Sequence, residues 1–577
     1  MGPVQVVPGI AMAASIESAD ALTASIFPSS GKIVTAFLIS VAALMIASKL
    51  VLDRIGALDK NEPPLLRPRV PICGHLFGIL RWQVGYFQML SSKVPSYPAF
   101  TLRVFSRRIY VICEPSLIQA AYRNTRAFDF GSFVVESSQR AFDIGEQGMK
   151  IIRGETSPDY NPNGSFLNGN SGRSYLNENH KIMVESLSPG AGLDELNRGV
   201  LKRVAASLNT ISGTGEVFSL YRWIRDILTL ATAETLYGPQ SPLSDDRGLI
   251  DCLWDFEENM TLLMLNFLPR LIAPKAYQGR LRIKSAFKAF YSDKHNLTAS
   301  KLVQSRLACA QKWGFTPDDI ANFEISTLFL ATTNSVPTTF WQLSYILSSP
   351  HVFEQIRKEV ESIVTRELGK EDGRAEAVID ITLFQNHCPL LISSLDETLR
   401  LVDAATSVRS VVQPTILKSP VSSFSYDLKS PAVIQLPSGI THTSPKIWGP
   451  DAASFNPSRF LPSAKATLSK AELQAQKQGY FPFGGGKHLC PGRHFAKMEI
   501  LAFVAGVVVG FDVDNQTGED FKVPDMAFQK LGTAVKKPVR DVAVRIRRRQ
   551  GWEDVRWRFA SIGDGAVDLK AFEDDGE

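Results

Sequence analysis

The chain has 577 residues, of which 44% are apolar, a composition that suits one large or several ordinary cored domains and excludes a chain disordered throughout. Its 63 Lys and Arg against 58 Asp and Glu leave a net charge of only +5, interleaved along the sequence, so charge gives nucleic-acid binding no support. Six cysteines, Cys73, Cys113, Cys252, Cys309, Cys388 and Cys490, stand without a C-x-x-C pair or regular spacing, which excludes a disulfide framework and a zinc site.

From Ile33 to Leu52 the sequence reads IVTAFLISVAALMIASKLVL, apolar but for small hydroxyl residues and Lys49. About 20 such residues span a bilayer core as a helix. No Lys or Arg precedes Lys32, so a cleaved leader with a basic start is disfavoured and a retained anchor is expected at 32–53. Residues 1–31 carry Glu17 and Asp20, whereas Lys49, Arg54, Lys60, Arg67 and Arg69 follow, which places 1–31 in the lumen and the body in the cytosol. Pro63, Pro64, Pro68 and Pro71 make 54–72 a stiff, extended hinge. The body, 73–550, reads as mainly helical with short strands at RRIYVICEP, VRSVVQPTIL and VAVRIRR.

Arg153–Arg173, rich in Gly, Asn, Ser and Pro, reads as an exposed loop, and KEDGRAEAV near 374 as a loop between helices. Between them a long helix is announced by Thr316 as N-cap, Pro317 at its first position, and Asp318 and Asp319 in its first turn. It should run to Ser348, and it contains Pro337, which removes one N–H and displaces the Thr333 carbonyl. Thr332, Thr333, Asn334 and Ser335 cluster at that notch, as hydroxyls that bond back to their own helix or as a polar site. Glu397 and Arg400 in SSLDETLRL share one helix face at i, i+3, a spacing that exposed ion pairs also show. Residues 551–577 end in FEDDGE and read as a tail.

The stretch FPFGGGKHLCPGRHFAKMEI, 481–500, sets a cysteine between a glycine turn and a helix. Pro491 suits the first helical position, which would put Cys490 at the helix start, where free N–H groups favour the thiolate that binds metals. Gly484, Gly485 and Gly486 let backbone approach a sulfur or a flat cofactor. Phe483, Gly486, His488, Cys490 and Gly492 fall in the order F-x-x-G-x-(R/H)-x-C-x-G, which resembles the haem-binding loop of the cytochrome P450 family.

The resemblance implies a mainly α fold with a small β region, and haem b with Cys490 as thiolate ligand. It implies His488 on a haem propionate, Phe483 near the sulfur and Ala496 against the macrocycle. The notched helix then resembles the one crossing the distal face, where the family usually carries an acid–alcohol pair that relays protons. Here Thr333 and Asn334 stand in its place, in NSVPTTFW, as in the branch with sterol 7α- and 12α-hydroxylases and prostacyclin synthase. Neither titrates near neutral pH, so both are expected to order water. Glu397 and Arg400 resemble the family's E-x-x-R helix, with Arg459 of WGPDAASFNPSRF as third partner in a structural cluster. Arg409 resembles the strand arginine on a propionate. The family's early W-x-x-x-R is absent, and His180 or Lys181 is its candidate substitute. The implied activity is oxidation of a lipophilic sterol, terpenoid or polycyclic natural product in fungal secondary metabolism. Electrons would come from NADPH through cytochrome P450 reductase, docked at Lys487, Arg493 and Lys497 on the endoplasmic reticulum. The alternatives are an isomerase or cyclase that needs no external electrons, and a tethered haem carrier without turnover.

Overall fold

The computed structural model describes residues 58–68, 75–157, 174–213, 215–369 and 375–560, with Thr35, Ile39, Ser40 and Ala43. Apart from those four residues, the expected anchor at 32–53 lies outside the described residues, as do most of the loop to Arg173 and the tail beyond 560. Among those described, no helix is long and apolar enough to cross a membrane.

Six helices carry the core: α1 (Ala191–Asn209), α2 (Leu220–Tyr237), α3 (Pro317–Thr332), α4 (Ser335–Leu347), α5 (Pro389–Val402) and α6 (Arg493–Gly510). α1 and α2 pack together, α6 packs on α1, α4 and α5, and α4 also meets α2 and α5. The sequence explains which helices go to the middle. α4, SVPTTFWQLSYIL, carries no charge and is buried from Ser335 to Ile346, and α6 is buried from Met498 to its end. Helices apolar on every face are stable only when enclosed on every face.

The long helix expected from Thr316 to Ser348 is two helices. Thr316 does cap it, accepting from the Asp319 N–H at 3.1 Å, but α3 stops at Thr332 and α4 starts at Ser335. Pro337 accounts for the break: it cannot donate to the Thr333 carbonyl, so the ladder opens one turn before the proline. The Thr338 N–H, at 3.2 Å from the Asn334 carbonyl, resumes it.

Five strands form the main sheet: β1 (Ala99–Val104), β2 (Arg107–Ile112), β3 (Phe128–Asp129), β4 (Thr406–Val411) and β5 (Ala432–Pro437), in the order β1-β2-β5-β4-β3. β5 runs parallel to β2 and antiparallel to β4, with Ile434 opposite both Tyr110 and Arg409. The proline-rich segment is part of this sheet's edge. Leu65 pairs with Thr101, the Thr101 hydroxyl donates to the Pro63 carbonyl at 2.6 Å, and buried Glu62 accepts from the Tyr110 hydroxyl at 2.7 Å.

Three further sheets occur among the described residues, one of them the hairpin Thr415–Lys418 and Ser425–Leu428. The strand read at VAVRIRR is Ala543–Arg548, paired with Phe511–Asn515 and Glu216–Ser219. The polar break near 374 joins strands Val364–Leu368 and Ala375–Asp380, an antiparallel pair, rather than two helices. Arg556–Ala560 then runs parallel to Ala375–Asp380, so the chain stays in the fold to residue 560. Its alternation, RWRFA, buries Trp557 to 1% exposure against the end of α6, where a Cβ on Gly510 would lie 2.5 Å from the indole. Trp557→Ala should lower unfolding stability by about 3–5 kcal/mol, read from the denaturant midpoint, because the cavity opens onto α6.

Candidate active site

The cysteine loop is closed by its own backbone. The Cys490 N–H donates to the Phe483 carbonyl at 3.1 Å, and Gly484 N–H to the Phe481 carbonyl at 3.0 Å. Gly484 and Gly486 have φ of +77° and +64°, which side chains disfavour, and a Cβ on Gly486 would stand 2.5 Å from the Tyr122 carbonyl. The glycines thus serve a left-handed turn and a close approach to helix Pro115–Arg123. The α6 helix begins at Arg493 with Gly492 as its cap, two residues later than Pro491 suggested. The free amides still face the sulfur: those of Gly492 and Arg493 favour its ionised form. Burial outweighs them and pushes the thiol up, so the protein alone keeps it protonated, and a cation on the sulfur is what would displace the proton. Ala496 and Phe483 are both half-buried nearby, Ala496 on the first turn of α6.

A positive rim borders the loop. Arg409 on β4 is buried, with its Nη1 donating to the Val408 carbonyl at 2.8 Å and to Ser407 Oγ at 3.1 Å. Its guanidinium lies 4.7 Å from the Phe130 ring centre, and the His488 imidazole sits 5.1 Å from the same ring. His180 stands 6.2 Å from His488, whereas Lys181 points away to pair with Glu185. Burial, then the charges of Arg409, His180 and Lys487, push His488 down to about 4. Asp129 opposes this, but its carboxylate is already occupied by the Gly131 and Ser132 amides and the Ser132 hydroxyl. The rim is therefore short of anions, a fit for two propionates.

One face of α3 is left bare. Leu330 is 67% exposed on a helix whose other faces are core, and Ser326 and Ala331 beside it are half-buried. Together with the thiol and the rim, this uncovered apolar stripe fits a flat dianionic macrocycle and an apolar guest. At the notch the two expected residues behave differently. The Thr333 hydroxyl donates back to the Phe329 carbonyl at 2.7 Å. Asn334 Oδ1 accepts the Ala534 N–H at 2.9 Å, tying the break to the 527–537 loop.

Glu397 and Arg400 pair bidentately at 2.7 and 2.8 Å, both fully buried. Arg459 Nε reaches both carboxylate oxygens at 3.1 Å, and the Asn456 N–H adds 2.9 Å to Oε1. Arg400 spends its remaining donors on the carbonyls of His442 at 2.5 Å and Ala452 at 2.7 Å. Every charge is thus paired and hydrogen-bonded, the condition for a buried cluster to persist.

Sequence reasoning missed His442. It is fully buried, and its Nε2 accepts the Phe481 N–H at 3.1 Å, joining the Arg400 cluster to the first residue of the cysteine loop. Burial, then the Arg400 charge, push it down to about 3, so it remains a neutral acceptor. Nothing in THTSP signals this, because the partner is 39 residues away.

The Cytochrome P450 family model matches residues 265–540. The chain is 31% identical over 513 residues to a cytochrome P450 monooxygenase of Gibberella zeae, covering 87% of this chain and 92% of that one. It is 29% identical to the cytochrome P450 monooxygenase nodJ of Hypoxylon pulicicidum, with coverage of 89% and 95%. It is 25% identical to a 5-beta-cholestane-3-alpha,7-alpha-diol 12-alpha-hydroxylase of Sus scrofa, with coverage of 85% and 93%.

Two outcomes follow from this geometry. Glu397→Ala leaves two buried guanidiniums without their carboxylate and should cost about 3–5 kcal/mol in denaturant unfolding. The His442 pKa lies below its unfolded value, so its contribution is present above about 6.5 and is lost as pH falls toward about 3. His442→Asn should flatten the acid limb of the stability–pH curve by up to about 1.4 kcal/mol per pH unit relative to the parent.

Proposed function

The chain belongs to the cytochrome P450 family and is a monooxygenase of it, and on that premise we propose oxidation of a lipophilic sterol, terpenoid or polycyclic natural product in secondary metabolism. The observation that carries the substrate class is the bare apolar stripe on α3 around Leu330. The likeness to a hydroxylase named for a cholestane diol supports the same class.

Haem, when bound through a thiolate, supplies the electron-rich iron at which dioxygen is activated. In this reading Cys490 ligates the iron, held at its post by the Phe483 carbonyl on its own N–H. Phe483 and Ala496 pack beside it. Arg409 and His488 take the propionates, and His180 replaces the missing tryptophan–arginine pair. Glu397, Arg400 and Arg459 hold the meander and the loop in register. Asn334, fixed by the Ala534 amide, keeps its side-chain amide group available to order water. The Thr333 hydroxyl, bonded to Phe329, supports the bend.

Electrons come from NADPH through a membrane-bound reductase. Lys487 is exposed and Arg493 half-buried beside the loop, whereas Lys497 is engaged by Asp396 at 3.2 Å, so the first two are the better docking charges. We place the protein in the endoplasmic reticulum membrane with its catalytic domain cytosolic. Besides the run Ile33–Leu52, exposed Phe77, Leu80, Phe267, Leu268, Leu271 and Phe528 support this, on segments that meet at Gln83. Gln83 Oε1 accepts the Leu531 N–H at 2.7 Å and the Thr261 hydroxyl at 3.4 Å.

The rival is an isomerase without external electrons, favoured by the lack of an acid among Thr332, Thr333, Asn334 and Ser335. The reduced carbon monoxide difference spectrum of the parent should show a strongly red-shifted Soret band, absent in Cys490→Ser. Sterol and terpenoid substrates should then be consumed only with NADPH and reductase. Turnover without NADPH would select the isomerase, and a red-shifted band retained in Cys490→Ser would end the thiolate assignment.

A further inference from the structure

A cavity of about 450 Å³ lies between the end of helix Gly131–Arg140 and the turn that leads into helix Pro274–Ser292. Its polar lining is Arg140, Asp143, Asn266, Arg270, Tyr277 and Arg280, three guanidiniums against one carboxylate. None of these residues belongs to the bare stripe of α3.

Arg280 is the buried member of the three, 3% exposed. Its Nη1 donates to the Ala141 carbonyl at 2.8 Å and, at 3.5 Å, to that of Arg140, while its Nη2 reaches the half-exposed Asp143 carboxylate only at 3.5 Å. Its Nε is buried with no hydrogen-bond partner among the described residues. A guanidinium so enclosed is short of negative charge: burial holds it below its ordinary value, and Asp143 and Tyr277 offset this only in part.

The other two arginines add to the deficit. Arg270 is exposed, its Nε donates to the Tyr277 hydroxyl at 3.0 Å, and its guanidinium and that of Arg280 lie 5.3 and 5.4 Å from the centre of the same Tyr277 ring. Two like charges kept on one ring repel, and an anion beside them removes the repulsion. Arg140 pairs loosely with Glu136, at 3.8 Å, a residue outside the lining.

The lip of the cavity is apolar. Leu268 and Leu271 belong to the lining and are exposed, Leu271 to 74%, and Phe267 beside them is exposed as well. A small soluble anion would use only the arginines, whereas an amphiphile with a charged head and acyl chains uses both the floor and the lip. On the far side, Phe142 packs against Phe256 and against Phe329 of α3, and the Asn322 side chain of α3 donates to the Asp143 carbonyl at 2.8 Å. A packed wall thus joins this cavity to α3, so its occupant is separate from the molecule being oxidised.

We propose that the cavity is a binding site for the phosphate headgroup of an anionic phospholipid, with Arg280 as the buried charge, Arg270 and Arg140 as the donors that reach the phosphate, and Leu268 and Leu271 against the acyl chains. Arginine suits the task because its planar fork matches two phosphate oxygens at once. The inference rests on the placement of the protein at a membrane and adds to it a choice of lipid, which apolar contacts alone do not make.

The test titrates the full haem-loaded chain, in a neutral detergent, with short-chain phosphatidate, short-chain phosphatidylcholine and inorganic phosphate by calorimetry. Phosphatidate should bind at one site per chain, at least about tenfold more tightly than either of the others, and Arg270→Gln and Arg280→Gln should each lose about tenfold. Equal affinity for the two lipids overturns the proposal. Inorganic phosphate bound as tightly as phosphatidate overturns it in favour of a soluble-anion site, and the parent's affinity retained in Arg270→Gln, an exposed position that leaves the fold intact, overturns the assignment to this cavity. Partition of the full chain into vesicles of neutral phosphatidylcholine separates the two readings. A chain that enters them yet shows no preference for phosphatidate overturns the lipid site alone, and one that binds phosphatidate but stays out of the vesicles overturns the membrane placement.

Discussion

The buried junction of Glu397, Arg400 and Arg459 is the constraint on which the site depends. Arg400 is enclosed with its carboxylate on the same helix turn, and its spare donors go to the carbonyls of His442, at the end of the short helix Ser438–His442, and of Ala452. His442 then passes the fixed position on, because its ring accepts the amide that starts the cysteine loop. A cluster of paired charges is weak evidence of stability, since desolvation offsets much of the attraction. Its value here is geometric: residues 456–459 meet α5 at one carboxylate, the carbonyls of His442 and Ala452 meet it at Arg400, and the sulfur's address follows from theirs.

Much of this was legible in the sequence, for reasons that differ by element. The capped start at Thr316, the disruption at Pro337 and the closed glycine turn are local, written in residues that act on their own backbone. The Glu397–Arg400 pairing is also local, though its burial is not. What stayed hidden was long-range. His442 and Asn334 act on amides 39 and 200 residues away. The terminal strand at Arg556 was masked by the acidic tail after it, although its alternation was a readable signal. Pro491 misled by two residues, since proline marks a helix start without saying how many turn residues intervene.

The distal notch separates two roles that neighbouring residues share by chemistry alone. Thr333 and Asn334 are both uncharged and hydrogen-bonding, yet one hydroxyl is spent on its own helix and the other side chain joins a distant loop. Spacing cannot distinguish them.

The pinned edge of the main sheet has a mechanical consequence. Asp59 is joined to Lys429, Glu62 to Tyr110 and Leu65 to Thr101, so residues 59–65 of the proline run are held by the folded body. The proposed span, ending at Leu52, would leave seven residue steps to Asp59, a reach of at most about 25 Å. On the proposed anchor, so short a leash fastened to a sheet would permit the domain little roll, and one side of the molecule would face the bilayer in every encounter.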